Sequence, residues 1–219
     1  MTNRTTPVPQ APARSRPRKT RAEKAIENRH RLLHAAAEVI GQYGYAEASI
    51  TRITERAGLA QGTFYLYFES RQHLFDQLLP EVGGEALAFI RDAVGDAPDF
   101  VTMEADGLRA FFQYVVRNPA YFRVFTEAEV AAPAAYAKYT ADRTGRFLDS
   151  LLAAWKNGEV DGYSRRELAV LTQVMLAALT YLFHEFAVRD GDTLKPPPEW
   201  VIKAYTKFIA RALGGPAGD

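Results

Sequence analysis

Cysteine is absent from all 219 residues, which excludes a disulfide scaffold, a thiolate metal site and a cysteine nucleophile. The start of the chain has no apolar core of the kind a secretory signal carries. The longest uncharged apolar run, Leu168 to Phe183, is 16 residues long and contains Thr172, Gln173 and Thr180. A membrane span needs about 18–20 apolar residues, so this run reads as a buried helix and no membrane partner is expected. No segment alternates apolar and polar residues in the manner of a half-buried strand, and no internal repeat is visible.

Catalytic patterns are lacking too. Of the four histidines, His30 and His34 stand at the i,i+4 spacing of a zinc helix, but Arg31 occupies the place of the required glutamate. His73 and His184 are isolated. There is no glycine-rich phosphate loop, no Gly-x-Ser-x-Gly and no convincing carboxylate pair. Neither an enzyme nor a metal or cofactor is expected.

What is present is a globular composition, 47% apolar and 24% charged, long enough for one large domain or two small ones. The net charge of +1 conceals an asymmetry. Residues 1–71 hold 12 Lys/Arg against 6 Asp/Glu, and the remainder 15 against 20, giving +6 in front and −5 behind. A basic module on an acidic body predicts a polyanionic partner for the front alone.

Residues 1–20, with Arg14, Arg16, Arg18 and Lys19 among Pro and Thr, read as a disordered basic arm. Helical periodicity then runs from Ile26 to Tyr43 on Ile26, Leu33, Ala36, Ala37 and Ile40, with Gly44 suited to a left-handed cap. Ser49 caps a second helix carrying Ile50, Ile53 and Ala57, which Gly58 ends, and a third covers Gln61 to Phe68. Ser70 caps a long helix from Arg71, which Pro80 and Gly83-Gly84 should bend or interrupt. Further helices are expected over Ala105–Arg117, from Pro119, over Ala134–Lys156, over Arg165–Arg189 and over Glu199–Leu213. The fold class is all-α, about nine helices in all: a three-helix module over residues 21–70 and a helical body over 71–219.

Two short helices joined through Gly58 form a helix-turn-helix pattern, with Leu59 as a plug and Ala57 small enough for a close crossing. The run Ser49 to Arg71, with Ala57-Gly58-Leu59, Gly62-Thr63, Tyr65, Tyr67-Phe68 and Ser70-Arg71, resembles the signature of the TetR family of repressors, over roughly residues 25–80. The resemblance implies a cytoplasmic homodimer that binds palindromic double-stranded operator DNA and is released by a small-molecule effector. It places Gln61, Gly62 and Thr63 at the entry of the major groove. Gln61 carries a donor and an acceptor suited to an adenine edge. Thr63, Tyr65 and Tyr67 offer hydroxyls, Thr51 faces out from the second helix, and Arg71 matches a family lysine that grips phosphate. Two departures stand out: Ala60 where a serine often caps the recognition helix, and Thr54 where alanine is usual.

The resemblance also implies an effector cavity in the body. Candidate lining residues are Phe112, Phe122, Phe125, Tyr139, Phe147 and Tyr181, with Arg143 between Tyr139 and Phe147, and His184 one turn beyond Tyr181, as polar anchors. Glu129 is a further polar candidate. Aromatic walls with an internal cation fit an aromatic acid or a fatty acyl compound. They equally describe any packed helical core. The last two helices carry more apolar surface than one layer can bury, Trp200, Val201, Ala204, Tyr205, Phe208 and Ile209 among it, and are the expected dimer face. An alternative is an architectural DNA-binding protein without a sensor, which predicts a filled body.

Overall fold

The computed structural model describes residues 20–190 and 193–214. The basic arm assigned to residues 1–20 lies outside them, except for Thr20. That residue caps α1 (Arg21–Tyr43) in a capping box: its hydroxyl accepts from the Glu23 amide, and its own amide donates to Glu23 Oε2 at 2.7 Å. The cap sets the helix start five residues before the expected one. The buried residues of α1 begin only at Leu32, so Ile26 is exposed rather than on the inner face.

α2 (Ile50–Ala57) starts at Ser49, whose hydroxyl accepts from the Arg52 amide. α3 (Gln61–Phe64) is half the expected length. Beyond Phe64 the amides of Leu66 and Tyr67 reach back three residues, to Thr63 and Phe64, so the segment to Phe68 continues as turns. Gly44 has a positive φ but an extended ψ of 167°, so it ends α1 without the left-handed cap.

α4 (Arg71–Val94) runs unbroken through Pro80 and Gly83-Gly84. Pro80 is exposed and costs the helix one backbone hydrogen bond, while Leu74, Phe75, Leu78, Leu79, Val82 and Ala86 fix the opposite face in the core. Gly83 serves contact, not flexibility: a Cβ there would overlap the Tyr139 ring.

α5 (Phe100–Arg117) begins at the Asp99 cap, five residues earlier than expected. α6 (Pro119–Ala131) and α7 (Pro133–Lys156) each open on a proline at the first position, where its missing N–H costs nothing. α8 (Arg165–Phe186) opens on a Ser164/Glu167 capping box. It stops three residues short of Arg189, because Ala187 is already extended. A two-stranded antiparallel hairpin that the residue pattern did not predict follows, β1 (Val188–Asp190) with β2 (Thr193–Lys195), pairing Val188 with Lys195. α9 (Glu199–Ala212) closes the described chain.

α1, α2 and α3 enclose Leu32, Leu33, Ala36, Ile40, Ile53, Phe64 and Phe68. This core is continuous with that of the α4–α9 body through Leu74, Phe75 and Leu78. α4 touches α1, α5, α6 and α7, so it joins the module to the body.

Candidate functional site

The helix-turn-helix is built locally. Gly58 adopts left-handed φ 62° and ψ 39° at the end of α2, and Leu59 N–H donates to the Thr54 carbonyl at 3.0 Å. The Arg31 guanidinium reaches across from α1 to the Ala57 carbonyl at 2.5 Å, holding the same corner. Thr54 is buried, yet its hydroxyl donates to the Ile50 and Thr51 carbonyls at 3.0 Å, so it fits without an orphaned polar group. Ala60 precedes α3 with no side-chain cap, as expected.

Phe64 and Phe68 point into the core, which turns the rest of the segment outward. Gln61, Gly62 and Tyr65 are exposed, as are Thr51 on α2 and Arg71 at the start of α4. Gly62 has open space around it. Thr63 is half-buried. Tyr67 is also half-buried, and its hydroxyl accepts from Asn28 Nδ2 at 3.4 Å, which ties it partly to α1. Arg71 donates to the Ala46 carbonyl at 3.2 Å and lies over the Phe75 ring. Two residues on this surface were not singled out from sequence. Arg52 stacks on Tyr43 and pairs with Glu47 at 3.0 Å, and Leu66 projects into solvent. Arg52 was legible as the charged neighbour of Thr51; an exposed leucine carries no such signal.

Within the body, the aromatic candidates divide. Phe112 and Phe122 meet Phe183, with ring centroids 5.9 and 5.1 Å away. Phe125 meets Tyr121, Tyr136 and Tyr139, and the Tyr121 and Tyr139 hydroxyls are 3.4 Å apart. Burial pushes the Tyr121 phenol well above its usual range, so it stays neutral. The Arg143 guanidinium lies over the Phe125 ring at 5.0 Å, and its buried Nε has no hydrogen-bond partner among the described residues. Phe147 is half-buried and turned to Phe100.

Tyr181 and His184 do not join this cluster. Tyr181 is 74% exposed and His184 is exposed. The inner face of α8 is Leu168, Thr172, Met175, Leu176 and Phe183. At about 100° per residue, position 181 lies on the far side of the helix from 183, and 184 is a quarter turn off. Glu129 is exposed as well. His30 and His34 face α4, meeting Glu81 at 2.9 Å and Glu85 at 3.1 Å.

Val170, Val174 and Tyr181 of α8 and Trp200 and Phe208 of α9 expose apolar surface on one side of the body. A groove of about 340 Å³ lies between them, its walls including Val174, Ala178, Leu182, Trp200, Ala204 and Phe208. By length and composition alone α8 would also suffice to cross a membrane, although its uncharged run looked too short; 28% of its most apolar stretch is buried in the subunit. Beneath the groove, Glu104 of α5 is buried and accepts from the Tyr205 hydroxyl of α9 at 3.2 Å.

Residues 32–78 match the family described as bacterial regulatory proteins, tetR family. The HTH-type transcriptional repressor KstR of Mycobacterium tuberculosis is 30% identical over 162 residues, covering 72% of each chain. Against three proteins of Bacillus subtilis the match is local. One of them, the fatty acid metabolism regulator protein, is 37% identical over 54 residues, and the chain spans between 28% and 38% of the three proteins' lengths. Among solved structures, the fatty acid degradation regulator FadR from Bacillus halodurans superposes with a TM-score of 0.66 at 19% identity, covering 88% of this chain and 97% of that one. FadR from Bacillus subtilis in complex with stearoyl-CoA does so with a TM-score of 0.61 at 18% identity, covering 70% and 83%.

Proposed function

The chain belongs to the TetR family of bacterial regulatory proteins, and from that premise we propose that it is an effector-responsive transcriptional repressor that binds palindromic operator DNA as a homodimer in the cytoplasm. The observation that carries this reading is the left-handed Gly58 turn, which presents Gln61, Gly62 and Tyr65 to solvent beside Thr51 and Arg71. In this reading residues 21–70 are the DNA-binding domain and 71–219 the sensing and dimerisation domain. Gln61 reads a base edge, Thr51, Thr63, Tyr65 and Tyr67 contribute hydroxyls, and Arg71 grips a phosphate. The apolar α8–α9 face meets the same face of a second copy. That partner, rather than lipid, accounts for the little-buried α8. Catalysis has no part in it.

The test begins with recovery of bound genomic fragments and footprinting of the operator. Gln61→Ala is expected to cost about 1–3 kcal/mol on the operator, a loss of roughly 5- to 150-fold, and clearly less on random duplex. Equal losses on both would show that Gln61 reads no sequence.

The effector is an amphipathic acid, an aromatic acid or a fatty acyl compound, with its apolar part among Phe112, Phe122, Phe125 and Tyr139. The stearoyl-CoA found with FadR of Bacillus subtilis supports this class. Arg143 anchors the acidic end. An unpaired carboxylate could not be buried there, and the bare Nε of Arg143 is a donor in want of an acceptor. A displaced Tyr139 presses on Gly83, and Tyr114, whose hydroxyl donates to the Val82 carbonyl at 3.3 Å, abuts the same turn of α4. α4 is therefore the lever that moves the DNA-binding domain; release follows if the effector favours the arrangement whose recognition helices miss the half-site spacing of about 34–36 Å. In a thermal-shift screen of acids, neutral lipophiles and cations, acids are expected to stabilise the protein and Arg143→Gln to remove at least nine-tenths of their affinity. A screen in which only cations bind would remove the anchor role from Arg143.

A further inference from the structure

A cleft of about 820 Å³ lies between the DNA-binding module and the body, on the flank of the aromatic core. That volume lies within the range of about 300–1,000 Å³ that small-molecule sites occupy. One wall is α1 and the end of α2, with His34, Glu38, Gln42 and Arg56; the other is α4 and the corner between α5 and α6.

The charges in this cleft are almost all matched. Arg56 meets Glu38 at 3.3 Å and Gln42 at 3.0 Å, His34 meets Glu85 at 3.1 Å, and Arg123 meets Glu127. Arg117 is the exception. It is exposed, its guanidinium lies over the Phe89 ring at 5.4 Å, and it forms no ion pair among the described residues. A guanidinium stacked on a ring keeps its N–H edge free for a planar anion, in the two-point geometry that a carboxylate matches. Next to it, Asn118 leaves the amino end of α6 without a side-chain cap, and Pro119 and Ala120 line the same space. The floor is apolar and mostly aromatic: Val82, Tyr114, Tyr121 and Phe122. Glu38 and Glu85, although paired, would repel a second negative charge, so the lining selects one.

We infer that this cleft binds a small aromatic monocarboxylate, with its carboxylate on Arg117 and its ring on Tyr114, Tyr121 and Phe122. Its anchor is Arg117 rather than Arg143, although Tyr121 and Phe122 border both places, and only its consequence for DNA rests on the regulator reading. That consequence follows from where the cleft lies. At this joint α1 meets α6 directly: a Cβ on Gly41 would come within 2.7 Å of Ala120, Tyr45 N–H donates to Glu127 at 3.0 Å, and the Tyr45 hydroxyl donates to the Val124 carbonyl at 3.3 Å. A molecule wedged beside Ala120 bears on the contact that orients the DNA-binding module.

The test is calorimetric titration of the full-length Arg143→Gln chain, in which the core anchor proposed above is removed, free of DNA, with 2-naphthoate and with neutral 2-naphthylmethanol. The expected result is one naphthoate per subunit, bound at least tenfold more tightly than the alcohol, with slowed amide exchange at residues 120–123. Adding Arg117→Gln to that chain is expected to abolish the preference for the acid. Helix content by circular dichroism checks that both variants fold. The proposal is overturned if naphthoate gives no saturable binding or if its preference survives Arg117→Gln. It is also overturned if naphthoate saturates the parent chain but not the Arg143→Gln chain; that outcome places the acid in the core and leaves the Arg143 reading standing.

Discussion

Trp200→Glu combined with Phe208→Glu is expected to turn a dimer into a monomer and to lower operator affinity by about a thousandfold. The two side chains are 59% and 57% exposed and stand eight residues apart, close to two helical turns, so they share one face of α9. The groove between them and α8 is almost wholly apolar. Two glutamates there would have to be buried without partners against the same two glutamates of the second copy, which costs more than the lost contacts alone. The DNA penalty follows from linkage of the half-sites. A dimer bound through one half holds its other module near the second half-site at high effective concentration, a gain of about 10²–10⁴ that a monomer forfeits. Sedimentation velocity and gel shift measure the two losses. Both positions face solvent in the subunit and glutamate favours helix, so helix content should not change. A double variant that still sediments as a dimer would place the interface elsewhere.

The second large effect is on stability. Burial pushes the Glu104 carboxyl from 4.5 up to about 7, opposed by the hydrogen bond from Tyr205. Below pH 4.5 the group is protonated whether the chain is folded or not, and stability is undiminished. From pH 4.5 to about 7 the unfolded chain releases the proton while the folded chain retains it, so stability falls as pH rises. Above pH 7 the loss has reached roughly 3 kcal/mol, at about 1.4 kcal/mol per pH unit of separation. Glu104→Gln keeps an acceptor for the Tyr205 hydroxyl and removes the titration. At pH 8 the variant should therefore exceed the parent by about 3 kcal/mol in urea unfolding, and at pH 4.5 the two should nearly coincide. Parallel stability curves over this range would show that Glu104 does not ionise on unfolding. Because Tyr205 belongs to α9, the docking of the proposed dimer helix on α5 should loosen over the same window.

Sequence legibility differed from one part of the molecule to another. The second helix and its turn were readable from sequence, because Ser49 and Gly58 act on backbone within four residues of themselves, whereas α3 proved half as long as its residues suggested. Glu104 was not: a glutamate in an amphipathic helix reads as surface, and only the docking of α9, a hundred residues later, buries it. The unpaired state of Arg117 was equally hidden, since it depends on which carboxylates of α1, α4 and α6 find other partners first.

The sequence by itself determined the family, the all-helical class, and the starts of the second, fourth and eighth helices. Each rests on local hydrogen bonds, such as Ser49 to Arg52, Ser70 to His73 and Ser164 to Glu167, or on turn glycines and short periodicities that need no distant partner. Tertiary structure decided what each face meets. It turned Tyr181 and His184 outward while Arg143 went in over Phe125, and it made Gly83 a seat for Tyr139. It also kept α4 continuous through Pro80, where a buried face on one side outweighed one lost bond on the other. An apolar helix with two plausible faces, such as α8, carries no mark of which one its own subunit covers. That choice is made by residues far away in the chain, through the free energy of packing the whole body.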